Sequence, residues 1–148
     1  IGEQSQPWKV SVVAQEAAAA ALGDREYMEK SLRMIGAERE RVTAALRGMG
    51  FKVYPSAANF ILFRDTAASN SGGRPGSLGE ALLARGILIR SCGNFRGLDG
   101  SYYRIGLKLP QENNILLDEL GQIVAERDQS GTRQGENTQD AQRGGDPH

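Results

Sequence analysis

The chain has a single cysteine, Cys92, so no disulfide can form within it, and a reduced thiol in a cytoplasmic protein is the expectation. It also has a single histidine, His148, which is the last residue. A Ser-His-Asp or Cys-His machine is therefore excluded, and no metal site is expected. There is no excess charge: 18 basic residues balance 18 acidic ones. With no long Lys/Arg block either, neither nucleic acid nor an anionic membrane is an expected partner. No apolar run approaches the roughly 18–20 residues of a membrane span, and the start, IGEQSQPW, shows neither a signal-peptide pattern nor a Met. It reads as an internal starting point. Large apolar residues are missing altogether from Asp128 to His148. Nothing in that stretch can offset the entropy of ordering, which predicts a disordered tail or an expression remnant over 128–148 and a single folded domain over 5–127.

Within 5–127 the pattern is mixed. Ser11 to Leu22 is alanine-rich and predicts a helix, broken by Gly23. Asp24 is placed to cap a second helix running to about Met49. Its apolar positions Met28, Leu32, Ile35, Val42, Leu46 and Met49 form one stripe, interrupted by Arg39, which is expected to snorkel or to meet an acid elsewhere. Short strands are predicted at Phe51–Tyr54, Asn59–Arg64, Ile87–Arg90 and Tyr102–Leu109. Between them, 65–76 reads as a surface loop and Leu78–Arg85 as a helix with Ser77 and Glu80 as its capping box. Pro110 fits the first turn of a last helix ending near Arg127. Four helices and four strands in this order predict an α/β two-layer sandwich, with a small sheet covered mainly on one face. No glycine fingerprint follows a first strand, so a dinucleotide-binding unit is not expected.

Paired carboxylates occur only where helices are predicted, and Glu38, Glu40, Asp118 and Glu119 read as solvated helix faces. Arginines carry more information. Arg64, Arg90 and Arg104 fall in or at the end of strands, and Arg96 lies in a glycine-flanked loop. A guanidinium there is either an anion-binding fork or one half of an ordinary surface ion pair, and the residues alone leave both open. Asn59, directly after Ser56-Ala57-Ala58, reads first as a turn residue.

The segments QPWKVSVVAQEAAAAAL, YPSAANFILFR and GILIRSCGNFRGLDGSYYRIGLKLPQENNILLDEL, in this order and spacing, resemble the C-terminal part of class I/II aminotransferases over about residues 6–125. The resemblance is to the branch that holds histidinol-phosphate aminotransferase and threonine-phosphate decarboxylase. Ser91-Cys92, where the aminotransferase usually has a proline after the arginine, makes the decarboxylase of cobalamin biosynthesis the nearer expectation. The aminotransferase is the alternative, and a non-catalytic anion-binding module is a third reading.

The resemblance implies the small domain of a fold-type I enzyme that uses pyridoxal 5'-phosphate, with a mostly antiparallel or mixed sheet. It implies that Arg104 grips the substrate's carboxylate, that Arg90 lies near the substrate phosphate, and that Asn59 and Arg96 are further substrate-side residues. The expected partners are a phosphorylated amino acid, a large domain of the same protein and, when intact, a second copy in a homodimer. Lys9, Lys30, Lys52 and Lys108 do not match the motif of the lysine that holds the cofactor. Cofactor attachment is therefore expected in the large domain, and no cofactor-binding residue is expected in this chain.

Overall fold

The computed structural model describes residues 10–67 and 77–143, with side chains to Ser130. They divide into two compact units, 1–36 and 37–148. In the first, α1 (Val12–Gly23) starts where Ser11 Oγ accepts the Ala14 amide at 3.2 Å, and none of its residues is buried. Asp24 caps the next helix, α2 (Arg25–Gly48), by accepting the Tyr27 amide at 2.9 Å.

The second unit takes the later half of α2 and holds the sheet. Its strands are β1 (Lys52–Val53), β2 (Phe60–Arg64), β3 (Arg90–Ser91) and β4 (Tyr102–Gly106), in the order β1-β2-β4-β3 with every neighbour antiparallel. The helices α3 (Ser77–Ala84) and α4 (Pro110–Arg143) complete the unit. Strand periodicity explains the core. Ile61 and Phe63 of β2 and Tyr103 and Ile105 of β4 point to one face, where Val42, Leu46, Leu78, Leu82, Leu117, Leu120 and Ile123 of the three helices cover them. The alternate residues, Phe60, Leu62 and Arg64 with Tyr102 and Arg104, belong to the opposite face. The architecture is thus the small α/β sandwich that the sequence predicts, with its antiparallel sheet covered on one face by helices.

Several boundaries differ from the sequence reading. Strand β4 ends at Gly106 instead of Leu109, because both polar backbone groups of Lys108 turn to a side chain, Asn113. Of the third expected strand only Arg90 joins the ladder, together with Ser91 beyond its expected end. Ile87 and Ile89 pack on the core while Leu88 between them is exposed. The apolar stripe of α2 is buried at Val42 and Leu46, but Met28 and Leu32 are exposed. The last helix does not stop near Arg127 but continues to Arg143. A lack of apolar residues does not by itself prevent a helix, and no proline interrupts i→i−4 bonding before Pro147. Residues 144–148 of the expected tail, and 68–76 of the expected loop, lie outside the described residues. Asp65, which opens that loop, is buried and receives Arg127 Nη1 at 2.8 Å. Arg39 meets a carbonyl, donating to Ala58 at 3.2 Å.

Leu46 is fully enclosed. Leu46→Ala is expected to cost about 2–5 kcal/mol of unfolding free energy through lost burial and the cavity left behind. The exposed Leu88→Ala should stay within about 0.5 kcal/mol. Urea unfolding of both variants checks the contrast, and equal losses would contradict this core.

Candidate anion-binding site

A cleft of about 770 Å³ opens at the end of the sheet where β4 leaves its ladder. Asn59, Arg90 and Arg104 line it together; Arg96 does not. Three of the four substrate-side residues named from the sequence are thereby brought to one place. The sheet register does this. Arg90 and Arg104 are cross-strand partners in the β3–β4 ladder, and Arg104 is also opposite Leu62 of β2. Asn59 enters from the turn before β2, and its carbonyl accepts the Leu107 amide at 2.8 Å.

The two guanidiniums are held by neutral groups. Arg104 lies over the Phe60 ring, 5.0 Å from its centroid. Arg90 lies 5.8 Å from the centroid of Phe95 and donates to Asn94 Oδ1 at 3.3 Å. Among the described residues, no carboxylate pairs with either one. Arg64, Arg85 and Arg127 in the same unit each have an acidic partner. Like charges placed directly opposite on a sheet repel. An arrangement that supplies ring faces and an amide, but no counter-charge, is suited to receive an anion from outside. Ile87, Leu88, Ile115 and Leu116 form the apolar part of the cleft.

Arg96 is exposed in the 93–100 loop. That loop folds on itself: a Cβ on Gly93 would stand 3.2 Å from the Gly100 nitrogen, and Gly97 has φ +84°. At its end, Ser101 donates to Asp99 through both its amide and its hydroxyl. These bonds, and the Arg64 charge behind them, hold the Asp99 carboxyl below its ordinary range. Loop and strand together thus place Asn94 and Phe95 beside Arg90.

Glu38 corrects the sequence reading. Instead of facing solvent, it is buried, accepting Arg41 Nε at 3.0 Å, Arg41 Nη2 at 2.7 Å and Asn113 Nδ2 at 2.7 Å. Its position was legible: Glu38 is four residues before Val42 and eight before Leu46, on the apolar stripe of α2. Glu40 and Asp118 are exposed as expected, while Glu119 pairs with Arg85 at 2.8 Å. Asn113, Phe60, Asn94 and Phe95 carried no comparable signal, since an Asn or Phe near a strand end has many ordinary uses.

The chain matches the model of class I and II aminotransferases over residues 2–120. It belongs to that family. It is 43% identical over 120 residues to the histidinol-phosphate aminotransferase of Roseiflexus castenholzii, an alignment covering 80% of this chain and 31% of that protein. The crystal structure of the histidinol-phosphate aminotransferase from Clostridium acetobutylicum superposes with a TM-score of 0.71 at 35% identity, covering 83% of this chain and 36% of that one. L-threonine-O-3-phosphate decarboxylase from Porphyromonas gingivalis gives 0.58 at 29%, covering 82% and 37%. The expectation that the decarboxylase is nearer is overturned by this ranking. It rested on one segment, ILIRSCGNFRGLDGSYYRIGLK with its Ser91-Cys92, against similarity over 120 residues. The chain spans about a third of the length of the curated relatives it matches.

Family members bind pyridoxal 5'-phosphate; the histidinol-phosphate aminotransferase of Sinorhizobium meliloti, 25% identical with a TM-score of 0.60 over 77% of this chain and 30% of that one, was solved in complex with it. Of the lysines among the described residues, one lines the cleft. Lys108 is the lysine of the cleft, and its amine is held by Glu112 at 2.9 Å, which keeps the Glu112 carboxyl below its ordinary range. Lys52 lies over the Tyr54 ring, and Lys9 falls outside the described residues.

Two outcomes test this geometry. In a double-mutant cycle of Arg90→Gln and Arg104→Gln, the coupling should be repulsive, about 0.2–1 kcal/mol. It should shrink when phosphate is added, and an attractive coupling would contradict an unpartnered cation pair. The second outcome concerns pH. Hydrogen bonds from Arg41 and then Asn113 hold the Glu38 carboxyl below its ordinary value, outweighing burial, which raises it. A depressed folded value adds stability that is present above the unfolded value and lost as pH falls through the folded one. Unfolding midpoints should therefore drop as pH falls below the ordinary carboxylate range, and less steeply in Glu38→Gln.

Proposed function

We propose that this chain forms the substrate-anion side of a pyridoxal-phosphate-dependent aminotransferase acting on histidinol phosphate. The observation that carries this reading is the Arg90–Arg104 pair in one cleft with ring faces for support and no carboxylate of its own. Histidinol phosphate has a phosphate ester and no carboxylate. The two guanidiniums offer parallel N–H donors for that dianionic end, and Arg's planar fork suits it. The oxo-acid that exchanges with it presents a carboxylate, which the same fork accepts. Asn59 lies beside them as a further donor to substrate. The apolar side of the cleft, with Ile87 and Leu88, takes the less polar part of the substrate and keeps water from it.

The cofactor, when bound, supplies the electron sink for the carbon bearing the amine. We place its lysine in the part of the relatives' length that this chain does not span. This chain's own residues bind and orient. Holding the anion in this way contributes to binding in ground state and transition state alike.

The test is turnover by the protein that carries this chain. Histidinol phosphate with 2-oxoglutarate should give glutamate, and Arg104→Ala should lose about 2–5 kcal/mol of transition-state binding, read as kcat/KM. Arg90→Ala should weaken phosphorylated substrates more than their unphosphorylated analogues. The 148 residues alone, supplied with cofactor, should show no turnover. Release of carbon dioxide from threonine phosphate without any oxo-acid would replace this reading with the decarboxylase.

A further inference from the structure

The two backbone segments that edge the cleft are held from the same two adjacent residues of α2. Arg39 Nη1 donates to the Ala58 carbonyl at 3.2 Å, next to Asn59. Glu38 holds Asn113, whose side-chain amide takes both polar backbone groups of Lys108. Oδ1 accepts the Lys108 amide at 3.1 Å, and Nδ2 donates to the Lys108 carbonyl at 2.9 Å. The segments 58–59 and 107–108 are in turn joined by the Leu107 amide on the Asn59 carbonyl.

This matters to Arg104 because of where the ladders end. The β3–β4 ladder closes at Arg90 opposite Arg104. From Ile105 onward, β4 pairs on one side only, with β2, as far as Gly106 opposite Phe60. Arg104 is therefore the last residue of β4 with a strand on both sides, and a glycine follows two positions later. A strand end with one neighbour and a glycine frays readily, since glycine has the most freedom to regain. The Asn113 amide supplies the missing rung two residues beyond, and the Glu38 carboxylate, pinned by Arg41, fixes how that amide is turned. Asn113 is 3% exposed and Glu38 is 7% exposed, so this clamp is built into the interior instead of lying on the surface.

We propose that Asn113, held by Glu38, is a positioning residue that fixes the end of β4 and so aims Arg104 at the substrate anion. The proposal rests on the function proposed above, and its test separates the two. A clamp that aims a binding group acts on ground state and transition state alike, so its loss should raise KM more than it lowers kcat. In the protein carrying this chain, Asn113→Ala is expected to raise KM for histidinol phosphate at least about tenfold, with kcat within about threefold. Glu38→Gln keeps one acceptor oxygen for Asn113 and should restore KM to within about threefold of the parent, whereas Glu38→Ala should not. A fall in kcat at unchanged KM, or a lowered unfolding midpoint with both constants unchanged, would reduce the clamp to a stabilising role and overturn the proposal. Should Asn113→Ala fail to fold, the near-isosteric Asn113→Asp serves. It keeps the acceptor for the Lys108 amide but removes the donor and sets two carboxylates face to face, so KM should rise as well, and an unchanged KM overturns the proposal. If the parent protein does not turn over histidinol phosphate, the proposed function fails by itself. The clamp is then judged by affinity for inorganic phosphate and by exchange of the Lys108 amide. Weaker phosphate binding with faster exchange in Asn113→Ala supports it, and parental values for either overturn it.

Discussion

A slip of one residue of β4 against β2 would send Tyr103 and Ile105 into solvent and bring Arg104 into the core. Side chains alternate along a strand, so register and burial are one decision. Four inward residues, all 5% exposed or less, hold that decision in place. Everything that concerns function follows from it. With the apolar set facing the helices, Arg104 must belong to the other face, opposite Leu62 and beside Arg90. A guanidinium there costs little, because it is exposed over a ring neighbour and stays hydrated.

The same unit contains arginines used in two different ways. Arg85 bridges α3 to α4 through Glu119 and Glu126, and Arg127 ties α4 to the buried Asp65. These are structural pairs, each with its counter-charge from the same fold. Arg90 and Arg104 instead receive ring faces and an amide. Neither has a carboxylate partner among the described residues and both line the cleft, the two features on which the proposed function rests. Below it, the buried polar clamp from Arg41 through Glu38 and Asn113 to the Lys108 backbone satisfies each polar atom it encloses. This is the condition under which a buried charge does not undermine its surroundings.

Much of the fold could be read from residue order. Alanine content marked α1, Asp24 marked the start of α2, a continuous apolar run marked β2, and Pro110 marked the end of β4 and the start of α4. Glu38 was misread, although its place on the stripe of Val42 and Leu46 was visible, because a carboxylate on a helix is usually solvated. Its burial depends on Asn113, 75 residues away, and no local rule anticipates that partner. The choice between two neighbouring enzymes failed for a similar reason. Ser91-Cys92 is a local feature, and relatedness is a property of the whole length.

The sequence by itself determined the element types, the family, and the arginines worth attention. Those depend on short-range backbone preference and on periodicity, which neighbours along the chain encode. Tertiary structure alone decided which arginines share a cleft, which lack a counter-charge, and which interior amide holds the end of β4. Those are matters of register between strands and of packing between helices distant in sequence. Their energies come from contacts that exist only once the chain has folded.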